Sequence, residues 1–414
     1  MKFLEFSPSE VFLSDASSLM EDGMAARGTA VKLGAPGAYA QFRVSGRELG
    51  LLLRRHPWSG VAEVTIGHDT TQVDLFSPEH QPGWLTEQPL PSDQHVDVTI
   101  RATGDAHPDA QGSEVWIMGV YTTDLRHNDL GEAVNAQMAT TPFTAADLNQ
   151  LTDVFDWYNP AWTAELEALA CSQQYEPPDF VHRKAWEWGQ CMYGIRALDM
   201  LQPDFQALGV GVGFEPISYA LSNHLEMVVA TDLYEGWGAG GEGNPDVLDN
   251  PDKYASIPYR RDHLRFARMD GTRLEFPENS FDLVWSCSSI EHFGGHEGSS
   301  RSMREIERVL KPGGVAAVIT EFVLPQERTS PYSGYHPEYF NLRCLYEYLI
   351  RPVPALELVQ PIDFSIPAYY RRRPCKLPEE AKEPHDRMGK PHIVLLAEGC
   401  LFTSVAMFLR KRTV

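Results

Sequence analysis

Apolar and polar residues alternate in several short runs of the first third of the chain: Tyr39 to Val44, Val61 to Ile66, Val96 to Ile100 and Val115 to Val120. Period-two alternation of this length predicts strands with one buried face, and the Gly/Pro/Asp/Ser clusters between the runs predict regularly spaced turns. VAEVTIGHDTTQVDLF reads as two strands joined through a Gly67-His68-Asp69 turn. With no helical period between them, these runs predict an all-β sandwich or jelly roll over residues 1–130. From about Thr144 the period lengthens: AADLNQLTDVFDWYN and PAWTAELEALACSQ carry helical spacing. FVHRKAWEWGQCMYGIRALDML does too, with Val181, Ala185, Trp188, Met192 and Ile195 at 4-3-4-3 intervals. Residues 131–178 are therefore expected to form a helical linker. Beyond it, strand-like runs (QALGVGVG, MVVATDLY, FDLVWSCSS, VAAVITEFVL) alternate with helix-like ones (PISYALSNH, SMREIERVLKPGG). That order specifies a parallel sheet with helices on both faces. HIVLLAEGCLFTSVAMFLRK reads as two last strands joined near Glu398-Gly399, and the proline-rich stretch from Ala368 to Pro391 as a loop.

A length of 414 residues suits two domains, and a 43% apolar share suits chains that build cores. The net charge of −22 argues against a surface built with the basic stripes that hold nucleic acid or anionic lipid, and leaves room for a small substrate in a local pocket. The amino-terminal MKFLEFSPSE has no signal-like apolar stretch. No apolar run reaches membrane-spanning length; the closest approach, Ile393 to Leu409, is interrupted by Glu398, Gly399, Thr403 and Ser404. Six scattered cysteines without a C-x-x-C pair predict reduced thiols in a cytoplasmic protein, with neither a disulfide framework nor a zinc site.

LGVGVGFEPISYAL holds the sharpest signal. A buried strand runs into Gly209-x-Gly211-x-Gly213, and a helix opens at Pro216, a residue suited to the first helical position. Glycines there let a ligand lie directly against backbone. A dinucleotide fingerprint needs G-x-G-x-x-G, and the sixth position is Phe214 counted from Gly209 and Pro216 counted from Gly211, so that reading fails. MVVATDLY is a second apolar strand ending at Asp232, 19 residues past Gly213, where a carboxylate can accept both hydroxyls of a ribose.

Together with RFARMDGTRLEFPENSFDLVWSCSSIEHF and REIERVLKPGG, these segments resemble class I S-adenosylmethionine-dependent methyltransferases over about residues 180 to 412. The resemblance implies a Rossmann-like doubly wound α/β sheet with a C-terminal antiparallel hairpin in a domain spanning 179–414, with S-adenosylmethionine as cofactor. It implies that Gly209, Gly211 and Gly213 border the amino-acid part and ribose, that Asp232 and Leu233 reach the nucleoside, and that Met269, Asp270 and Gly271 bracket the adenine edge. Ser286 would lie beneath the cofactor. The family's acidic residue two positions before the first glycine is replaced by Ala207, and Glu215 is the candidate substitute for holding the ammonium. YAQFRVSG, VTIGHDTTQVDLFS, HVDVTIRATG and EVWIMGVY resemble, as a pattern, jelly-roll carbohydrate-binding modules.

Methyl transfer to a hydroxyl needs alignment and removal of one proton. The candidate bases at the strand ends are His292, His296 and Glu321. His292, His296 and Glu297 have metal-like spacing, but Gly294 and Gly295 between the histidines argue against a shared helical face, so no metal is assigned. Tyr234 and Trp237 lie on a glycine-rich loop with the composition of a lid. Arg183 or Lys184 would meet an anionic acceptor, and Arg371 to Arg373 a phosphate or solvent. The sequence thus points to a methyltransferase of a small polar acceptor, a hydroxyl of a saccharide or glycosylated metabolite, with assembly into homo-oligomers through the sandwich. Its rivals are N- or C-methylation of a natural product, or a glycan-binding scaffold without turnover.

Overall fold

The alternation in the first third of the chain is realised as two antiparallel sheets. In a computed structural model, residues 2–4, 6–8, 11–22, 25, 29–78, 81–90, 95–123, 148–153, 156–157, 159–169, 182–235, 243–324, 338–364, 375–376, 392–397 and 400–413 are described. One sheet holds β1 (Lys2–Phe3), β3 (Ser17–Glu21), β4 (Thr29–Leu33), β6 (Glu48–Arg55), β9 (Gln81–Pro89) and β11 (Val115–Thr123). The other holds β2 (Val11–Leu13), β5 (Tyr39–Val44), β7 (Val61–Ile66), β8 (Asp69–Asp74) and β10 (Val96–Ala102). The orders are β3-β4-β11-β6-β9, with β1 also on β11, and β2-β5-β10-β7-β8. In β5, Ala40, Phe42 and Val44 are buried while Gln41 and Arg43 face solvent, the in–out alternation that a strand with one covered face requires. Val31, Leu33, Leu51, Leu53, Val64, Val98, Ile100 and Ile117 share one buried cluster within this sandwich.

The second half is a mixed sheet of β12 (Gln206–Val210), β13 (Met227–Asp232), β14 (Leu264–Arg268), β15 (Phe281–Cys287), β16 (Leu310–Val323), β17 (Leu356–Leu358), β18 (Cys375–Lys376), β19 (Leu395–Ala397) and β20 (Cys400–Lys411). Its order is β14-β13-β12-β15-β16-β20-β19-β18, with β17 also on β20. Strands β12 to β16 pair in parallel, and β20 runs antiparallel to β16 and β19. The central strands are buried on both faces, so their side chains divide between two clusters. Leu208, Val284, Ala316 and Val318 pack with Met303 and Ile306 of the helix Gly295–Val309. Ala207, Leu283, Trp285 and Ala317 pack with Trp186 and Ile195 of the helix Arg183–Ala197. This second helix lies close against β20: a Cβ on Gly194 would fall 2.1 Å from Phe408 Cζ. Ala25, Ala30, Leu52, Met118 and Tyr121 of the sandwich belong to the same buried cluster as Phe340, Leu345 and Tyr348, so the two halves share a core.

The stretch expected to be helical at 145–159 departs from that reading. Residues 150–151 bridge Asp363 and Val405 in extended form. Thr152 N–H donates to Ser404 O at 2.9 Å, and Ala406 N–H donates to Gln150 O at 2.9 Å. The Asn149 carboxamide fixes the register, donating to Gln360 O at 2.8 Å and accepting from Phe408 N–H at 2.6 Å. Helical spacing is overridden because this piece completes the edge of β20, where unpaired backbone would otherwise be buried. The helix Pro160–Ala168 follows as expected, while 170–181 of the linker, the Glu398-Gly399 turn and most of the 368–391 loop lie outside the described residues.

A buried ion system ties the pieces together. Arg183 donates to Glu187 Oε1 at 2.7 Å, to Ser404 Oγ at 2.9 Å and to Glu321 Oε1 at 2.6 Å. Lys184 Nζ lies 3.3 Å from Glu187 Oε2 and 3.3 Å from Glu215 Oε1, and donates to Cys287 O at 3.1 Å. Burial on its own would raise the Glu187 carboxyl, but Arg183 and Lys184 outweigh it and hold the pKa at about 2.

Two outcomes follow. Replacing Gly194 by Val forces Phe408 to move and should cost about 1–3 kcal/mol, read as a lower urea midpoint. Gly34→Ala, where the added atom would meet nothing nearer than 3.8 Å, should leave the midpoint in place. A carboxyl held below its ordinary pKa of 4.5 contributes stability above that value and loses it as pH falls towards about 2. The stability gap between the parent and Glu187→Gln, measured by urea titration, should be widest near neutrality and close through that acidic window.

Candidate active site

The strand order reverses at β12, which pairs with β13 on one side and β15 on the other. Connections leaving the carboxyl ends of such neighbours part to opposite faces and open a crevice. A cavity of about 790 Å³ lies there, lined by residues from the loops after β12, β13, β14 and β15. Gly211 takes φ +68°, and a Cβ on it would meet Phe293 Cζ at 2.7 Å and Ser289 Cβ at 2.9 Å. Gly271, on the facing loop, would collide with Phe293 Cε2 at 2.6 Å. Both walls therefore close on Phe293 only because neither carries a side chain.

Asp232 stands at the tip of β13 and is fixed from two directions. Gly213 N–H donates to its Oδ2 at 3.0 Å and Tyr234 N–H to its Oδ1 at 3.3 Å. Each oxygen has a second acceptor direction for vicinal hydroxyls. Leu233 lines the cavity with 47% of its surface exposed, and Met269 lies in the same wall. Asp270 accepts from Thr272 N–H and Thr272 Oγ1, both at 2.8 Å, which locks its carboxylate at the rim. Apolar Leu233, Met269 and Phe293 line the cavity together with the Asp232 and Asp270 carboxylates, a set whose chemistry suits an adenosyl group.

Past β15 the chain turns through Ser288, whose φ of +48° is unusual for a residue with a side chain. Ser289 Oγ donates to Gly211 O at 2.5 Å and joins the β12 and β15 loops across the crevice. His292 lines the cavity, with Nδ1 3.2 Å from Glu338 Oε2. Burial would lower its pKa, yet the Glu338 hydrogen bond and the Glu291 and Glu321 charges raise it to about 9. Glu291 is fully buried and accepts from Thr320 Oγ1 at 2.8 Å. Burial, then the Glu321 charge, lifts its carboxyl to about 7. Potential ligand atoms of Glu291, His292 and Glu321 lie within 4.8 Å of one another, the one such His/Cys/Asp/Glu group among the described residues.

Of the residues read from the sequence, Gly211, Gly213, Asp232, Leu233, Met269, Asp270, Gly271 and His292 meet in this cavity. Gly209 lies one step back in β12, its carbonyl accepting from Thr231 Oγ1 at 2.6 Å. Ser286 is fully buried inside β15, and Ser288 and Ser289 line the cavity at that strand's end. Glu215 is buried against Lys184 and stands outside the lining, as does Ala207 in the strand core. His296 occupies the first turn of the helix Gly295–Val309, its Nε2 2.9 Å from Tyr339 O and its ring stacked at 5.1 Å on Tyr348. The glycine break falls at Gly294, in left-handed conformation, and separates the two histidines. Glu321 faces Arg183 and the Glu291 carboxylate. Tyr234 is not a lid residue: it is fully buried, with its hydroxyl donating to Gly213 O at 2.8 Å. Trp237 and Arg371 to Arg373 lie outside the described residues. The lining residues Ser288, Ser289 and Thr272 sit within the quoted SCSSIEH and DGT segments, whereas Arg301, on a polar helix face, left no signal.

Residues 208–318 match the family described as a methyltransferase domain. The chain is 33% identical over 104 residues to a sterol 24-C-methyltransferase of Aspergillus fumigatus, covering 25% of this chain and 26% of that protein. It is 29% identical over 143 residues to a sterol 24-C-methyltransferase of Yarrowia lipolytica, covering 34% and 33%. The chain thus spans about a quarter to a third of the length of these curated relatives. Among solved structures, it is similar to an S-adenosylmethionine-dependent methyltransferase from Mesorhizobium loti, with TM-score 0.32, 18% identity and coverage of 53% of this chain and 98% of the other. A second is the YcgJ protein of Bacillus subtilis, with TM-score 0.34, 14% identity and coverage of 53% and 98%. The matched segment, residues 208–318, is on the family match a methyltransferase domain, and S-adenosylmethionine is the cofactor such a domain takes.

Proposed function

We propose that this protein methylates a hydroxyl of a small polar acceptor, a saccharide or glycosylated metabolite. Bound S-adenosylmethionine supplies an electrophilic methyl on a sulfonium. The chain's own residues do the rest: Asp232 accepts from the ribose, Gly211 and Gly271 admit the nucleoside against backbone, and Leu233, Met269 and Phe293 exclude water from its base. One observation carries the polar acceptor. The crevice wall at Ser288 backs directly onto Arg183, whose Nη1 lies 3.5 Å from Ser288 Oγ, and His292 brings Glu291, Glu321 and Glu338 to the same end. An environment this charged favours an acceptor that hydrogen-bonds over an apolar one. Of the three candidate bases only His292 lines the cavity; with a pKa of about 9 it carries its proton at neutral pH and orients an acceptor oxygen by donation.

The saccharide part draws on the amino-terminal half. Strands β4 to β11 in the orders β4-β11-β6-β9 and β5-β10-β7-β8 support reading the sandwich as a jelly roll, eight strands in two sheets. Assembly of copies through this sandwich is part of the same reading. Among the described residues Cys191, Cys287, Cys344 and Cys400 are free thiols, in keeping with a cytoplasmic setting, and no helix is long and apolar enough to cross a membrane. A second reading, methylation at carbon, is favoured by the sterol 24-C-methyltransferases that the chain resembles over short stretches.

By calorimetry the protein should bind S-adenosylmethionine, and Asp232→Ala should weaken it about 10- to 100-fold, the loss expected for hydrogen bonds to a charged acceptor. Equal binding by both proteins would overturn the role given to Asp232. Incubation with methyl-labelled cofactor and a panel of oligosaccharides, sugar nucleotides, amines and sterols should label saccharide hydroxyls. Label confined to sterol carbon would favour the second reading, and label confined to amines would exclude both.

A further inference from the structure

We infer that Glu291, His292 and Glu321 form a site for one divalent cation at the acceptor end of the crevice. The inference deepens the reading above: on binding, the ion would displace the His292 ring proton and take over from it the task of holding the acceptor's oxygen, and it rests on that reading only for this role.

Three observations carry it. The three potential ligand atoms lie within 4.8 Å of one another, a spread suited to donors that surround a single ion at ordinary metal–ligand distances. Glu291 is fully buried, and while its Oε2 accepts from Thr320, its Oε1 has no hydrogen-bond partner. A buried carboxylate oxygen left without a donor is costly unless something positive completes it. His292 Nδ1 is paired with Glu338 Oε2 at 3.2 Å, the carboxylate–imidazole arrangement that orients histidine ligands in metal sites.

Charge balance points the same way. Glu187, Glu215, Glu291, Glu321 and Glu338 are linked through a chain of contacts in which the cations are Arg183, Lys184 and, while no ion is bound, His292. Arg183 engages Glu321 Oε1 at 2.6 Å, leaving Oε2 as the oxygen to offer an ion. Two carboxylates and one imidazole make a mixed oxygen and nitrogen donor set that suits Mn²⁺ or a similar first-row ion, with remaining positions for water or an acceptor hydroxyl. His292 lines the cavity, so the site borders the space where an acceptor would enter.

The test uses the full-length chain, stripped with a chelator and titrated with Mn²⁺, with free ion read by electron paramagnetic resonance. Binding of about one Mn²⁺ per chain is expected, with at least tenfold weaker binding in Glu291→Gln, the size of loss typical when a metal site is perturbed. His292→Gln should weaken binding as well and remove the ¹⁴N coupling from the pulsed spectrum of bound Mn²⁺. A far-ultraviolet circular dichroism spectrum matching the parent's serves as the check that both variants are folded. Mn²⁺ binding absent from the parent, or unchanged in both variants, overturns the site. Retained Mn²⁺ binding without cofactor binding would instead fault the methyltransferase reading and leave the cation site standing.

Discussion

The geometry of the crevice depends on a guanidinium taken out of water. Arg183 sits at the start of the helix that precedes β12, yet its partners are Glu321 near the end of β16 and Ser404 in β20. Its i+4 neighbour Glu187 closes the ring by accepting from Ser404 Oγ at 2.5 Å. Burying such charges is expensive, and their attraction offsets that expense only if each finds a partner in good geometry. Every element that contributes a partner is therefore held in one place. Lys184 extends the same constraint to Cys287, the last residue of β15, immediately before the chain turns into the cavity wall at Ser288.

The amino-terminal sandwich takes part in that constraint through packing. Arg343 is fully buried and lies 5.5 Å from the centroid of the Tyr121 ring, a cation–π contact between the two halves. Arg343 follows directly on a segment that pairs with the end of β16: Phe340 N–H donates to Glu321 O at 3.0 Å, and Val323 N–H donates to Phe340 O at 2.9 Å. Glu338, the partner of His292, begins this segment. The sandwich thus rests on the segment that begins with the partner of His292, and Leu52, Met118 and Tyr121 share a core with Phe340, Leu345 and Tyr348.

Much of the scaffold was legible because its physical causes are local. Strands β5, β7, β8, β10 and β11 follow alternation and turn chemistry, and β12, β13, β15 and β16 follow continuous apolar runs between helical ones. The glycine turn was legible because only glycine tolerates φ +68° beside Phe293. Where the cause is remote, local signals mislead. Residues 150–151 lie in a stretch of helical spacing but form extended bridges, since a strand edge formed some 250 residues later in the chain takes the backbone hydrogen bonds of this piece. Tyr234 has the surroundings of a loop residue in sequence, and it is buried because its hydroxyl serves the Gly213 carbonyl.

The chemistry at the far end of the crevice shows the same limit more sharply. Read alone, Glu291-His292 suggests a neutral imidazole ready to take a proton. In the fold, Glu321 arrives from the next strand and Glu338 from beyond the end of that strand, and their combined charge keeps the His292 proton in place up to about pH 9. No spacing rule joins positions 291, 321 and 338, because what joins them is the parallel pairing of β15 with β16 and the return of the chain along the end of β16. The residue types were visible in the sequence; their protonation was not, since it is set by neighbours that only the completed sheet supplies. This end of the cavity must accordingly be understood as a cluster of charges with Arg183 and Lys184 at its back, and a role for any one member follows from the balance of them all.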